Sequence, residues 1–472
     1  MSWFLTRGGY NPKNSAAFAI LSTSTGTWEL SLSNGQKRVV SISDASNSTG
    51  IVWVEFLNLY TGTEYELNVT DGIRNETVKF KTANDNHNTV IGSCWQTYSW
   101  FEPVSAEICK LNPTQILNAG DGPYCDNNRQ VTNANGGVDL QMTALRTEYF
   151  KFLGNSSRQP MLLNSPHMHV DSDHDYAPGN DYPGRDDVGA FPGEKELNYW
   201  YYVNSSLYPK AVTAIGTDGS NYARDLIDQG KLVFRNFTRN PPNPDIGHSY
   251  GGGVVPDDAI YTRWTIGRVE YFMLTQTWYA DCVTQAAGIT NRSMLGSVQL
   301  AWFLDRIKKS TSVFKVILFP QMLLTAEPIN TIGRNNYARA CYSDEGAVIK
   351  ETLTNFSDWA VPGGAIVFSG DTHTPTIIKL ELGESIWQIT PCPSGTDGVP
   401  TPSDNNTAAG EKLRFFKVYS GTKPPNRYFG LVEDIGAGNL LISLLNSFGG
   451  VEWRGELPVG QNDIVYSGVK LV

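Results

Sequence analysis

Apolar and polar residues alternate over the first part of the chain. Up to about residue 84, short runs such as Val52, Val54 and Phe56 place an apolar side chain at every second position, and clusters of Asn, Gly and Ser separate the runs. This period is typical of strands with one buried face, and short strands at this spacing favour an antiparallel sandwich. We predict an all-β domain over residues 1–84. It ends in the polar segment ANDNHN, where His87 is expected to be exposed.

From residue 85 the pattern changes to continuous apolar runs that alternate with helical periodicity. The runs are NTVIGSC, TQILNAGDG, VFKVILF and AIVFSGD. Residues 139–154 and 297–310 instead repeat apolar residues at intervals of three and four, which indicates helices packed through one face. Buried strands alternating with helices predict an α/β layered domain over residues 85–472. Residues 183–255 are rich in Pro, Asn, Gly and Tyr, and we expect them to form an ordered excursion over the core.

Composition and charge narrow the function classes. The chain has 472 residues, 40% of them apolar, and a net charge of −10. The negative charge disfavours nucleic acid and anionic membranes as partners. No stretch of 18 apolar residues is present, so we expect no transmembrane segment, and the first residues do not resemble a signal peptide. A small anionic substrate is compatible with this charge where a metal ion reverses the local field.

Metal-ligand residue types follow four of the predicted buried runs. They are Cys94 after the first run, Asp121 and Tyr124 after the second, Asp173, His174 and Asp175 after PHMHV, and Asp371 and His373 after AIVFSG. Each strand end alone is weak evidence, because Gly-Asp after a strand is usually a turn. Four such ends in one α/β domain would bring carboxylates together, and these repel unless a cation holds them.

The residue types suggest which ions and which reaction to expect. Thiolate, phenolate and carboxylate together suit Fe(III), whereas further carboxylate and carbonyl oxygens suit Ca²⁺ or another hard divalent ion. A carboxylate such as Asp121 can bridge two ions, so that water is activated and the charge of a phosphoryl transition state is stabilised. His174 is then placed to protonate the leaving oxygen. The sequence thus predicts metal-assisted hydrolysis of a phosphoester.

Six motifs carry a resemblance to a known family. GSC, GDGPY, DSDHD, IYTRWTIGRVEYFML, MLGSVQLAWFLDRIKKS and VFSGDTH occur in the order and approximate spacing found in PhoD-type alkaline phosphatases of the calcineurin-like metallophosphatase superfamily. Upstream, FLNLYTGTEYELNVTDG resembles the fibronectin-like N-terminal domain of that family. The resemblance covers nearly the whole chain, and it implies hydrolysis of phosphomonoesters and phosphodiesters by a protein that is extracellular or exposed at a surface.

The resemblance also implies roles for individual residues. It implies an iron site made by Cys94, Asp121, Tyr124 and Asp371, with His373 beside it. Asp173 takes the place of a ligand to the second metal, and His174 takes the place of the superfamily's Asn-His-Asp histidine, on the calcium side.

The sequence departs from the family pattern at two places within the motifs. The family usually has Trp-Asp-Asp-His where this chain has Asp171-Ser172-Asp173-His174, and Leu-Asp-Thr-Arg where this chain has Leu274-Thr275-Gln276-Thr277. In the first motif the family's first carboxylate is replaced by Ser172, for which Asp171 is a candidate substitute, and in the second motif a carboxylate and an arginine are missing, which bears on the second metal and on phosphate binding. Many family members also carry a twin-arginine leader, which this sequence lacks.

These departures keep a second hypothesis open. A structural or adhesion protein, for instance part of a virion or surface assembly, would retain the phosphatase fold with reduced or lost catalysis. Retention of the predicted ligands weighs against it, because decay is expected to affect ligands first. Of the remaining histidines, His167 and His169 are expected to pack near or beneath the site, and His248 is expected in a surface loop.

Overall fold

Two large β-sheets with helices on their outer faces form the body of the protein. The computed structural model describes residues 3–9, 12–43, 50–95, 102–123, 138–172, 175, 222–276, 278–279, 293–324, 342–371, 375–382, 384–392, 412–416, 427–436 and 438–466. The strands of the first half are β1 (Trp3–Gly8), β2 (Ala16–Ser22), β3 (Gly26–Leu32), β4 (Lys37–Ile42), β5 (Gly50–Phe56), β6 (Glu64–Thr70), β7 (Asn75–Lys81), β8 (His87–Gly92), β9 (Gln115–Asn118) and β10 (His167–His169). Those of the second half are β11 (Ser249–Tyr250), β12 (Gly253–Val254), β13 (Thr262–Ile266), β14 (Val269–Met273), β15 (Phe314–Phe319), β16 (Ala365–Ser369), β17 (Thr376–Leu382), β18 (Glu384–Thr390), β19 (Lys412–Phe416), β20 (Tyr428–Asp434), β21 (Leu440–Asn446), β22 (Val451–Leu457) and β23 (Val465–Tyr466). The helices are α1 (Glu102–Leu111), α2 (Val138–Gly154), α3 (Gln159–Asn164), α4 (Tyr222–Phe237), α5 (Ser297–Lys309) and α6 (Ser343–Thr354).

Each large sheet has parallel strands at its centre. The ten-stranded sheet has the order β23-β22-β21-β20-β8-β9-β10-β1-β2-β5, and β8, β9 and β10 run parallel. The seven-stranded sheet has the order β13-β14-β15-β16-β18-β17-β19, in which β14, β15, β16 and β18 run parallel. The carboxyl ends of parallel strands meet at one edge of a sheet, which is where α/β proteins place their ligands.

The apolar runs are continuous because both faces of these strands are covered. Successive side chains of a strand point to opposite faces, so Ile91 and Leu117 enter the core between the two sheets, where they join Val316 of the other sheet. Their neighbours Val90 and Ile116 instead pack on the outer face, in a cluster with side chains of α1, α2, α3 and α4. Helices α5 and α6 cover the outer face of the seven-stranded sheet. The result is a four-layer arrangement of helix, sheet, sheet and helix.

The N-terminal strands form a sandwich that shares a sheet with the rest of the chain. Strands β3, β4, β6 and β7 make a four-stranded sheet, and a core including Trp28, Leu67 and Phe80 packs it against β1, β2 and β5. Strand β1 pairs in parallel with β10 at a single position, Gly8 with His167. The N-terminal layer thereby continues the ten-stranded sheet. The boundary between residues 84 and 85 stays a prediction.

The predicted fold class is confirmed, and several predicted elements appear at their expected places. The α/β layered body with an all-β N-terminal region is present, and the predicted helices over 139–154 and 297–310 correspond to α2 and α5. Within the predicted excursion, residues 222–237 form α4, whose Val233 and Phe234 are buried against the ten-stranded sheet. None of the helices in the described ranges combines the length and the apolar character that a membrane-spanning helix requires.

The expectation for His87 was wrong. The side chain is 6% exposed, at the start of β8, and its Nε2 lies 2.7 Å from the hydroxyl of Tyr271 in the facing sheet. Burial lowers the pKa of His87. The polar segment around it looked like a linker in the sequence, but its last two residues, His87 and Asn88, begin the central strand, where a buried tyrosine supplies a partner.

Candidate metal centre

Three of the predicted ligands lie together where the two sheets meet. Cys94 follows the end of β8, Asp121 follows the end of β9, and their side chains are buried, with Cys94 Sγ 3.4 Å from Asp121 Oδ2. Asp371 follows β16 of the other sheet. A Cβ atom on the preceding Gly370 would lie 2.2 Å from the carbonyl oxygen of Ala119 and 3.0 Å from Cβ of Ser93. The end of β16 therefore touches the ends of β8 and β9, and Asp371 stands beside the other two residues.

The backbone of these three residues is in the left-handed region. The φ angles are 56° at Cys94, 57° at Asp121 and 71° at Asp371. Five residues other than glycine have a positive φ in the described part of the chain, so three of the five are predicted ligands. This conformation is disfavoured for residues with a Cβ, and it occurs preferentially at functional sites.

Backbone hydrogen bonds maintain the two left-handed residues of the first sheet. The N–H of Cys94 donates to the carbonyl of Gly120 (3.1 Å), and the N–H of Trp95 donates to the carbonyl of Asp121 (2.8 Å). The loops after β8 and β9 therefore fix each other. The Cys94 and Asp121 side chains approach each other because their backbones are paired beyond the ends of the strands.

Asp175 is a buried carboxylate that the sequence analysis named among the strand-end residues but to which it assigned no role in the site. It accepts hydrogen bonds from the backbone N–H groups of Asp121 (3.1 Å), Gly122 (2.9 Å) and Ser172 (2.8 Å). Its Oδ1 lies 3.0 Å from Nε2 of His169. Asp175 thus joins the loop after β9 to the loop after β10, and its position one residue after Asp173-His174 was the only signal in the sequence.

Cys392 is a second residue that the sequence analysis missed. It lies just beyond the end of β18, and its Sγ is 3.6 Å from Sγ of Cys94 and 2.9 Å from Oγ of Ser93. The side chain is buried, and burial raises the pKa of its thiol well above the usual range. The signal was available, because SIWQITPC is one more apolar run that ends in a ligand residue type.

The two departures from the family pattern contact each other. Asp171 and Thr275 are both fully buried, and the hydroxyl of Thr275 donates a hydrogen bond to Oδ1 of Asp171. Gln299 of α5 accepts from the backbone N–H of Thr275 (2.9 Å) and donates to its carbonyl (2.7 Å). Gln276, also buried, accepts from the N–H of Gln321 at 2.5 Å. At the position of the missing carboxylate, the chain therefore places a neutral hydroxyl donor beside Asp171.

Of the three remaining histidines, the two expected near the site are buried and the one expected in a surface loop is exposed. His167 and His169 are buried in β10, and the ring of His167 stacks on Trp95 with 5.9 Å between ring centroids. The pKa of His167 is well below its usual value, because of burial, His169 and the nearby Arg158. His248 is exposed. His167 is accordingly a neutral packing residue of the site's wall.

Four predicted site residues, Tyr124, Asp173, His174 and His373, lie outside the described residues. Within the described ranges, no group of three or more His, Cys, Asp or Glu side chains is arranged to hold a metal ion. A metal site that includes Cys94, Asp121 and Asp371 therefore needs further ligands.

The spacing of one described pair of donors, Cys94 and Asp121, fits two ligands of a single metal ion. Sulfur and oxygen ligands lie about 2.0 to 2.3 Å from a metal of zinc-like size, which separates two ligands of one ion by roughly 3 to 3.7 Å. The Cys94 Sγ to Asp121 Oδ2 distance of 3.4 Å is in this range. A thiol and a carboxylate from separate strands, both buried and at this spacing, are a suitable pair of ligands.

The comparisons with known proteins concern the family and the fold of the chain. Residues 247–413 match the family of PhoD-like phosphatases. No curated protein matches the chain. The structure of PhoD is similar to this chain with a TM-score of 0.65 and 11% identity, over 99% of this chain and 92% of that one. The purple acid phosphatase PPD1 from yellow lupin (Lupinus luteus) seeds is similar with a TM-score of 0.54 and 9% identity, over 95% of this chain and 73% of that one. At such low identities the likeness to the two structures concerns the fold, so the chain has the fold of the PhoD-type metallophosphatases that its sequence motifs resemble.

Proposed function

We propose that the protein is a metal-dependent hydrolase of phosphomonoesters, phosphodiesters or both. The observation that carries the proposal is the buried pair Cys94 and Asp121, 3.4 Å apart on two strand ends that Asp371 adjoins. A structural protein would have no need for three left-handed, ligand-type residues at one point of its fold. The match of residues 247–413 to PhoD-like phosphatases supports the same reaction class.

The proposed metals are Fe(III) and Ca²⁺, with another divalent ion as an alternative to Ca²⁺. Cys94, Asp121, Tyr124 and Asp371 would hold the iron, with His373 beside it, and Asp173 would hold the second ion with Asp121 shared between the two. When bound, the ions supply an activated water and stabilise negative charge on the phosphoryl group. The protein's part is to fix these ligands on rigid strand ends, and His174 is proposed to give a proton to the leaving oxygen.

The proposed substrate is a small phosphoester, met outside the cell or at a surface. A net charge of −10 disfavours long nucleic acid substrates, whose binding depends on many phosphate contacts by Lys and Arg. A single phosphate group requires only a local positive field, which bound cations provide.

The direct test combines metal analysis with turnover. Plasma mass spectrometry of the purified chain should find iron near one atom per chain, and p-nitrophenyl phosphate or bis-p-nitrophenyl phosphate should be hydrolysed faster when Ca²⁺ is added. Asp121→Asn is the informative variant, since asparagine also tolerates a left-handed backbone and so preserves the turn. It should lose both iron and activity.

Cys109→Ser serves as the matched control, because Cys109 is a half-buried thiol in α1 that packs on the outer face of the ten-stranded sheet. This variant should keep its metal and its activity. A folded wild-type chain without metal and without turnover would refute the enzymatic proposal and favour the structural or adhesion role.

A further inference from the structure

The carboxylate of Asp175 accepts hydrogen bonds from the backbone of two loops, one after β9 and one after β10. The side chain is fully buried. Its Oδ2 accepts from the N–H of Asp121 and from that of Ser172, and its Oδ1 accepts from the N–H of Gly122. Two successive N–H groups, at 121 and 122, therefore point at one carboxylate. Such convergence is possible because Gly120 and Asp121 have φ angles of 91° and 57°.

His169 fixes Asp175 from the opposite side. Nε2 of His169 lies 3.0 Å from Oδ1 of Asp175, and since a carboxylate only accepts, Nε2 carries the proton. The backbone of His169 is itself held by Asn240, which accepts from its N–H at 2.9 Å and donates to its carbonyl at 2.8 Å. The ring is also confined by Phe234, whose centroid lies 5.4 Å away.

Gly122 packs directly against the imidazole ring of His169. A Cβ atom at Gly122 would lie 2.0 Å from Cε1 of His169, so only glycine allows the loop after β9 to lie against the imidazole. The second glycine of GDGPY is thereby explained by a contact with β10. Asp121, which stands between the two glycines, is held from its backbone while its side chain faces Cys94.

We propose that Asp175 is a positioning residue that holds Asp121 in its left-handed conformation and so presents the Asp121 carboxylate to the metal. Part of this inference rests on the proposed function, namely that the carboxylate binds a metal. A left-handed backbone is disfavoured at a residue with a Cβ, and charge-assisted hydrogen bonds to the two N–H groups that flank the turn offset that disadvantage. Because the same carboxylate also holds Ser172, it sets the distance between the loop that carries Asp121 and the loop that carries Ser172.

The test is the variant Asp175→Asn, which has nearly the same shape. An asparagine has one oxygen and one NH₂ group, so at least one of the present N–H donors would face another donor. We expect the peptide covering residues 118–123 to exchange its amide hydrogens faster in deuterated buffer. We also expect iron to be lost to a chelator faster, because changing a residue that orients a metal ligand typically lowers metal affinity 10- to 100-fold.

Asp434→Asn is the matched control. Asp434 is also a buried carboxylate that accepts from two backbone N–H groups, of Arg268 (3.3 Å) and Gly436 (3.0 Å), and from one basic side chain. It pairs with His87 at the start of β8, the opposite end of that strand from Cys94. This variant should change thermal stability without changing exchange in residues 118–123 or the rate of iron loss.

The outcomes separate this inference from the proposed function. A wild-type chain without iron or turnover would refute the proposed function, and hydrogen exchange alone would then decide on Asp175. Unchanged exchange in residues 118–123 of Asp175→Asn overturns the inference. If the wild type binds iron, an unchanged rate of iron release from Asp175→Asn overturns it as well. Should Asp175→Asn not fold, His169→Leu, which removes the Nε2–H donor and keeps the Asp175 carboxylate, should shift both readouts in the same direction by a smaller factor.

Discussion

Replacing Gly370 by alanine tests how closely the two sheets approach each other at the site. Gly370 follows the last residue of β16 and precedes Asp371, and its N–H donates to the carbonyl of Pro320 at 3.0 Å. An alanine Cβ there would lie 2.2 Å from the carbonyl oxygen of Ala119 and 3.0 Å from that of Pro320. Both are backbone atoms, so no side-chain rotation relieves the contact.

The size of the effect follows from these distances. Ordinary contact begins at 3.4 Å, so the end of β16 must move by about 3.4 − 2.2 = 1.2 Å relative to β9. Overpacking of this kind typically costs about 1–3 kcal/mol of unfolding free energy. A displacement of about 1 Å in a catalytic group can lower turnover by about 10²-fold. Since Asp371 is the next residue, we expect Gly370→Ala to fold, with turnover lower by about that factor.

The assay compares Gly370→Ala with Gly154→Ala by urea unfolding, iron content and hydrolysis of p-nitrophenyl phosphate. Gly154 ends α2, and a Cβ there would lie 2.6 Å from the ring of Phe4, a side chain that can turn aside. The control should lose some stability and keep its iron and turnover. Wild-type turnover in Gly370→Ala would refute the reasoning, because it would mean that Asp371 tolerates the displacement or plays no part in the site.

Two further predictions concern buried polar groups. Thr275→Val should lower the free energy of unfolding by about 1–3 kcal/mol in a urea titration, because it removes the hydrogen bond to buried Asp171; Thr275→Ser should keep most of it, and equal losses in both variants would contradict this explanation. Lys315→Met removes a buried lysine. Burial lowers the pKa of Lys315 from an ordinary 10.5 to about 8. Between these pH values the unfolded chain binds more protons at Lys315, so the wild type gains stability as pH rises. The stability of Lys315→Met relative to wild type should therefore fall by up to about 3 kcal/mol from pH 8 to 10.5, since one pKa unit corresponds to about 1.4 kcal/mol; a difference that does not vary with pH would refute the assignment.

Strand ends and helix faces could be predicted from the sequence because local patterns determine them. The apolar run in AIVFSG predicts β16, because a continuous apolar run is typical of a strand covered on both faces. All five residues of β16 are buried in the structure. The periodicity of residues 297–310 likewise predicts α5, and Trp302, Phe303 and Ile307 are buried as a helical face requires. The rule that carboxyl ends of parallel strands meet at one edge of a sheet was sufficient to bring Cys94 and Asp121 together, whereas Asp371 follows a strand of the other sheet.

Contacts between sheets could not be predicted in this way. His87 looked like part of a linker because the residues before it are polar, and its buried partner Tyr271 is 184 residues away in the sequence. The contact between Cys392 and Cys94 joins residues 298 apart. Asp175 carries no periodic signal, since its partners are backbone N–H groups, which every residue but proline possesses. Such residues are identified only when the chain is folded.

The two departures from the family pattern are best understood as one coupled change. Considered separately, the loss of a carboxylate at position 275 and the gain of one at position 171 look like decay of a site. In the folded chain the two side chains are hydrogen-bonded, so a carboxyl group is retained at this point of the site and enters it from the loop after β10 instead of from the end of β14. A carboxylate at both positions would place two like charges in contact within a buried region, which is strongly unfavourable. Residue 275 therefore has to be a donor once residue 171 is an aspartate.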